Sequence, residues 1–238
     1  MPEEMQRINP TSLDAYNYEG PGIGAGAEPI VWMGLNMGVS LENSHNVLEI
    51  GFGEGKLLQK ASTITAGKVV GLEIAKACFA LHLEEKPNIE IRGMDVSHDV
   101  IPYPDDFFDL AFCTETIEHL ANPYFCIAEI KRVLRPDRYF ILSFPMPEDN
   151  FGTGGGQHWH VYPGFLTKGS FELFMRSMYF RKLAYKQNGS SAWYGYQNIK
   201  NDPRMVDLFH VISGNYEQET LWEWVDKVED KLICTGKD

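Results

Sequence analysis

Between residues 46 and 200, short apolar runs alternate with stretches whose apolar residues recur every three to four positions. The runs at 46–50, 68–73, 89–93, 108–113 and 139–144 are short and mostly Val, Ile, Leu and Phe, which reads as buried strands. The stretches at 54–62, 74–83 and 123–134 carry helical spacing. Strand and helix alternating at this pitch predict parallel βαβ units with helices on both faces of one sheet, an α/β fold. After a loop containing Gly152, Gly154, Gly155 and Gly156, residues 165–178 read as a further helix, and strands follow near 180–186 and 194–200. These last two strands succeed each other without a crossover helix, so at least one runs antiparallel.

The flanks read differently. Residues 20–38 hold Gly20, Gly22, Gly24, Gly26, Gly34 and Gly38 among Pro21, Pro29 and Trp32, which suggests a mobile lead-in rather than a core element. Residues 201–238 are acidic, with Leu221, Trp222, Trp224, Val225, Val228 and Leu232 at roughly helical spacing, a face suited to packing on the domain or on a second copy in a homodimer. The expected organisation is an N-terminal cap or lid at 1–45, a cofactor-binding domain at 46–200 and a helical extension at 201–238. The aromatic stretch Tyr16-Asn17-Tyr18 with Trp32 could fold over a bound cation as a lid.

Composition narrows the functional classes. With 238 residues and 44% hydrophobic side chains, the chain can bury the core of one α/β domain with extensions. Its net charge of −12 and the lack of any Lys/Arg-rich run disfavour nucleic acid, whose binding rests on neutralising phosphates, and disfavour anionic membrane surfaces. No apolar stretch approaches the ~18 residues of a membrane span, and the first residues lack an apolar signal core, so the expectation is a cytoplasmic protein. Cys78, Cys113, Cys126 and Cys234 form no C-x-x-C pair, which points to no zinc site and no disulfide framework.

The strongest motif is Val47-Leu48-Glu49-Ile50-Gly51-Phe52-Gly53-Glu54-Gly55, an apolar strand running into three glycines that open a helix. Such glycines permit a tight turn and a close ligand, and the helix offers unpaired N–H groups. The spacing G-x-G-x-G departs from the dinucleotide fingerprint G-x-G-x-x-G, with Lys56 at its last position, and it is not a P-loop. Glu73 closes the second strand, where a carboxylate can accept both hydroxyl protons of a ribose. Asp95 follows the third strand, placed to meet an adenine amino group. Three strand ends then converge on one nucleoside.

These residues, with Ile101-Pro102-Tyr103-Pro104-Asp105-Asp106-Phe107-Phe108-Asp109-Leu110, Glu118-His119-Leu120 and Glu129-Ile130-Lys131-Arg132-Val133-Leu134-Arg135-Pro136, resemble the class I, Rossmann-like S-adenosylmethionine-dependent methyltransferases over about residues 46–200. The resemblance implies a three-layer Rossmann-like fold whose seven-stranded, mostly parallel sheet has its last strand antiparallel. It also implies S-adenosylmethionine as cofactor and transfer of its methyl group to a nucleophile. The cofactor-binding set expected on this basis is Glu49, Gly51, Phe52, Gly53, Gly55, Glu73, Ile74, Asp95, Val96 and Thr114. One departure is Asp137-Arg138 after Pro136, where relatives commonly carry Gly-Gly; it concerns a turn.

Methyl transfer is an in-line displacement, so the protein chiefly aligns the nucleophile and removes its proton. If Thr114–Leu120 turns helical, Glu115 and His119 are i and i+4 on one face, and the carboxylate can orient the imidazole as a base. A similar acid and histidine spacing occurs in the phosphoethanolamine branch of the superfamily. The bland alternative is a loop histidine bonded to a carbonyl. His158 and His160 flank Trp159 after the fifth strand and are second candidates for lining an acceptor pocket or supplying the base; as one His-x-His pair they supply only two of the three or four ligands a metal needs.

The resulting expectation is O-methylation of a small hydroxylated metabolite such as a sugar. The alternatives are a small-molecule N-methyltransferase and a cofactor-binding subunit without catalysis. A nicotinamide-dependent reductase is a rival on Tyr196-x-x-x-Lys200, although that pair falls on a predicted late strand and the glycine spacing does not suit it.

Overall fold

The computed structural model describes residues 28–74, 86–145, 168–188 and 191–200. Most of the helix expected at 74–83, the glycine loop at 152–156, Tyr16 and Tyr18, and the extension at 201–238 lie outside the described residues.

The strands, in chain order, are β1 Val47–Ile50, β2 Val69–Glu73, β3 Ile89–Gly93, β4 Phe108–Thr114, β5 Leu134–Pro145, β6 Phe180–Asn188 and β7 Ser191–Asn198. They form one seven-stranded sheet in the order β3-β2-β1-β4-β5-β7-β6. β1 pairs in parallel with β2 and β4, and the parallel set extends through β3 and β5. β7 inserts antiparallel between β5 and β6. The hairpin from β6 to β7 is therefore the device that reverses the last strand.

Every residue of β1 and β4 is buried, because helices cover both faces of the sheet and leave no strand a solvated side. On one face α1 (Glu28–Met37) and α2 (Lys56–Ile64) bury Met33, Leu57, Leu58 and Ala61 against Val47, Leu110 and Phe112. On the other, α3 (Pro123–Val133) and α4 (Lys168–Ser177) bury Ile127, Ile130, Phe171 and Met175 against Leu48, Ile50 and Phe140. The expected three-layer Rossmann-like fold is the one observed. Cys113 and Cys126 are buried thiols within it.

Two expectations change. Residues 28–37 form a helix rather than a mobile lead-in: Met33 is fully buried, Trp32 packs on Trp193 with ring centroids 5.8 Å apart, and Gly38 ends the helix at φ 67°. The density of glycines suggested a turn, but only Gly34 falls inside the helix, and Gly38 stands at its C-terminal end where glycine is favoured. Trp32 is thereby occupied by the core rather than held over a ligand. The second change is at the junction of α3 and β5. The helix stops at Val133, capped by the Leu134 N–H on the Ile130 carbonyl, and the strand begins at once rather than at 139. Pro136 disfavours a helical Arg135 and removes a donor, so the chain must extend. Asp137 then takes φ 62°, the left-handed conformation that glycine enters more easily.

Candidate functional site

The parallel strands point their C-terminal ends to one side, and there the loops after β1, β2, β3 and β4 border an open cleft. This is where open α/β sheets bind ligands. Its walls include Gly51, Glu73, Ile74, Asp95, Val96 and Thr116.

The loop after β1 folds as its glycines require. Gly51, Gly53 and Gly55 have φ of 69°, 51° and 71°, a conformation that puts strain on any other residue. At Gly51 a Cβ would overlap the Thr116 side chain, and at Gly71 one would overlap Phe52 and Leu58. Gly55 caps α2 without a side-chain acceptor. That task falls to Glu49, which accepts a hydrogen bond from the Leu58 N–H in the first turn of α2. The Phe52 side chain is turned into the core beneath the loop, 1% exposed.

Two carboxylates sit on the cleft. Glu73 accepts the Gly53 N–H at 3.1 Å on Oε2 and the Ile74 N–H at 2.8 Å on Oε1, which ties the glycine loop to the end of β2. Asp95 accepts the Ser97 N–H at 2.9 Å on Oδ1 and stands 3.2 Å from Nδ1 of His98 on Oδ2. Ser97 in turn accepts the Ala121 N–H at 3.1 Å, joining the loops after β3 and β4 across the cleft floor. Burial, then the nearby Glu73 charge, pushes the Glu49 carboxyl well above the usual carboxylate range.

The segment after β4 departs from the expected helical turn. Glu115 has φ 48°, and only Ile117–His119 forms a turn, of 3-10 type. The Glu115 carboxylate accepts from the Ser143 hydroxyl at 2.7 Å and the Ser191 hydroxyl at 3.3 Å, so it clamps the tops of β5 and β7. The i, i+4 geometry on which a Glu115–His119 pair was expected therefore does not form. The acid set beside the imidazole is Glu118, whose Oε1 lies 3.7 Å from Nε2 of His119. Thr114 is buried under this turn, and its carbonyl accepts from the Thr116 hydroxyl at 2.9 Å. His158 and His160 lie outside the described residues.

Of the expected cofactor set, Gly51, Glu73, Ile74, Asp95 and Val96 line the cleft, Gly53 and Gly55 shape its loop, and Glu49, Phe52 and Thr114 lie beneath it. Sequence reasoning missed Thr116, Ser97, Met94 and Ala121. Only Ser97 had a local signal, an Asx-type turn two residues after Asp95. The others are brought in by the convergence of separate strands.

The lining suits a nucleoside joined to a cationic centre. Leu72, Ile74, Met94, Val96 and Leu120 offer apolar walls for a planar base, Glu73 and Asp95 offer acceptors, and among the described residues no Lys or Arg lines the cleft to hold a pyrophosphate. The reductase rival loses its other support too, because Tyr196 is 1% exposed in β7 and stacked on Tyr194. Among the described residues no group of three His, Cys, Asp or Glu could hold a metal ion. No helix among them is long and apolar enough to cross a membrane.

Comparisons with known proteins agree with this geometry. Residues 48–142 match the family described as methyltransferase domain. A probable S-adenosylmethionine-dependent methyltransferase of Mycolicibacterium smegmatis is 33% identical over 100 residues, which are 42% of this chain and 38% of that protein. The mitochondrial ubiquinone biosynthesis O-methyltransferase of Dictyostelium discoideum is 30% identical over 41% of this chain and 34% of its own length. The chain thus spans well under half the length of these curated relatives. Among solved structures, a SAM-dependent methyltransferase from Aquifex aeolicus superposes with a TM-score of 0.56 at 20% identity, covering 80% of this chain and 99% of that one.

Proposed function

We propose that the chain is a class I S-adenosylmethionine-dependent methyltransferase, with S-adenosylmethionine as its cofactor, and that it methylates the hydroxyl of a small polar acceptor such as a sugar; the methyltransferase-domain match over residues 48–142 and the methyltransferase relatives support this reading. The observation that carries the choice of a hydroxyl is a partly exposed histidine, His119, next to Leu120 on the cleft wall and backed by a buried acid. A hydroxyl has a high pKa and gains from a base as it attacks, so a histidine at that place has a task. The O-methyltransferase named among the relatives lends the same direction. The excess of acidic residues favours an uncharged or cationic small molecule over nucleic acid, and a cytoplasmic setting belongs to the same reading.

The cofactor supplies an electrophilic methyl group on a sulfonium, with a neutral thioether as leaving group. Glu73 would accept the ribose hydroxyl protons, while Asp95 and Val96 would meet the base. The loop of Gly51, Gly53 and Gly55 lets the ligand approach the backbone, and the apolar walls at Ile74, Met94 and Leu120 exclude water. His119 takes the proton from the acceptor oxygen. The acidic cleft also suits a cationic amine, so N-methylation is the second reading; it needs less from a base.

Calorimetric titration with S-adenosylmethionine, S-adenosylhomocysteine and NAD(P)H tests the cofactor site. The two sulfur compounds are expected to bind and the nicotinamide not. Glu73→Ala is expected to weaken binding about 10- to 100-fold, the loss of charge-assisted hydrogen bonds of roughly 1.5–3 kcal/mol. Absence of S-adenosylmethionine binding would overturn the reading. Label transfer from S-adenosylmethionine to a panel of hydroxylated and amine acceptors then separates the two readings, and binding without transfer to any acceptor would favour a non-catalytic subunit.

A further inference from the structure

Glu118 is a buried acid that the cofactor site does not use. It is 2% exposed in the turn Ile117–His119, and its Oε2 has no hydrogen-bond partner among the described residues. A buried carboxyl left so is costly, and an apolar side chain would fill the same space at less cost. The feature that distinguishes the place is the imidazole. His119 keeps 26% of its side chain exposed, and its Nε2 lies 3.7 Å from Glu118 Oε1, a separation that a small rotation closes to a hydrogen bond. Catalytic hydrogen bonds are often long before ligands bind.

We propose that Glu118 is the positioning residue of a Glu118–His119 dyad, its carboxylate accepting the Nε2–H of the imidazole so that Nδ1 is the atom that takes the acceptor's hydroxyl proton. The proposal rests on the O-methyltransferase reading and names the residue that makes its base work. In the step, the acceptor oxygen forms a bond to the methyl carbon as the carbon–sulfur bond breaks. The hydroxyl proton passes to Nδ1, and the resulting imidazolium is neutralised by the Glu118 carboxylate.

The surroundings set when that base is ready. Burial, and after it the Glu115 charge, pushes the Glu118 carboxyl well above the ordinary range. Among the described residues the Cys113 thiol also senses the Glu118 charge, along with those of Cys126 and Glu49, and it is pushed up chiefly by its own burial. Glu118 and His119, 3.7 Å apart, are placed to share one proton. While the proton sits on the carboxyl it is donated to Nε2, the hydrogen of the imidazole is on Nδ1, and the base is blocked. Loss of the shared proton switches the dyad on, so the two groups titrate as one pair.

The test is a nuclear magnetic resonance titration of the full chain labelled with ¹³C at histidine and glutamate, with His119→Gln and Glu118→Gln assigning the signals. His119 Cε1 and Glu118 Cδ are expected to move with a common midpoint in the unsubstituted protein. In Glu118→Gln the His119 midpoint should fall by about one pH unit or more, a tenfold loss of proton affinity. Independent midpoints for the two nuclei, or an unmoved His119 midpoint in a folded Glu118→Gln protein, would overturn the proposal. The two signals are also assigned in the unsubstituted protein by through-bond correlation to their backbone resonances, so the common midpoint is read without any variant and one that fails to fold leaves the test intact. The titration reads protons alone, and S-adenosylmethionine binding is read by calorimetry, so failure of the dyad and failure of the methyltransferase reading are separate results.

Discussion

At the scale of single residues, the site depends on positions where one atom more is too many. Gly51 combines φ 69° with a side-chain direction that runs into Thr116. Gly51→Ala is therefore expected to lower stability by about 2 kcal/mol or more, from left-handed strain plus overlap. It should also abolish measurable S-adenosylmethionine binding, because relief of the overlap must move the loop or Thr116. Chemical denaturation together with calorimetry checks both; a stable variant with unchanged affinity would mean that the loop is looser than its geometry. The glycines and the acids Glu73 and Asp95 were legible in the sequence because backbone chirality and ribose chemistry restrict such positions to few residue types. Glu118 was not, since nothing in Glu118-His119-Leu120 tells which acid turns inward; the expected helical geometry pointed to Glu115, which instead bonds Ser143 and Ser191.

At the scale of elements, periodicity located the strands and the core helices, whereas composition misjudged α1. Its Gly34 sits in open surroundings inside the helix, where an added Cβ would approach nothing closer than the Val39 carbonyl oxygen at 3.9 Å. Gly34→Ala is accordingly expected to stabilise the protein by about 0.5–1 kcal/mol, through reduced backbone entropy of the unfolded chain, and to raise the thermal midpoint. A lowered midpoint would show that the glycine serves a close contact. The junction of α3 and β5 shows a different limit. Apolar periodicity runs on through Leu134, but Pro136 and the capped Leu134 end the helix, so a local breaker overrides the pattern. The alternation of strands and helices predicted a parallel sheet but not the order of its strands, which the structure supplies.

At the scale of the whole molecule, buried acids of opposite kinds shape stability against pH. Arg132 holds Glu129 below the usual carboxylate range; burial opposes ionisation of Asp109, but the Asn46 and His45 N–H groups and Arg135 outweigh it and lower its pKa as well. Their contribution is present above the unfolded value near 4 and is lost as pH falls through the depressed folded values. Glu49 and Glu118 are shifted the other way, each chiefly by burial. Their contribution is present below the unfolded value and is lost as pH rises from there toward the raised folded values. The thermal midpoint should therefore peak at mildly acidic pH, and Glu49→Gln should flatten the alkaline side of the profile; calorimetric scans across pH check this, and a maximum above neutrality would contradict it. The sequence by itself determined the layered α/β class, the parallel sheet with its late reversal and the glycine loop between two acids, because burial periodicity, turn chemistry and left-handed backbone are local and leave few choices of residue. Only the tertiary structure decided that residues 28–37 belong to the core, that Glu115 clamps strands while Glu118 faces His119, and that Thr116 and Ser97 complete the cleft, because each depends on which distant chain segment arrives beside it.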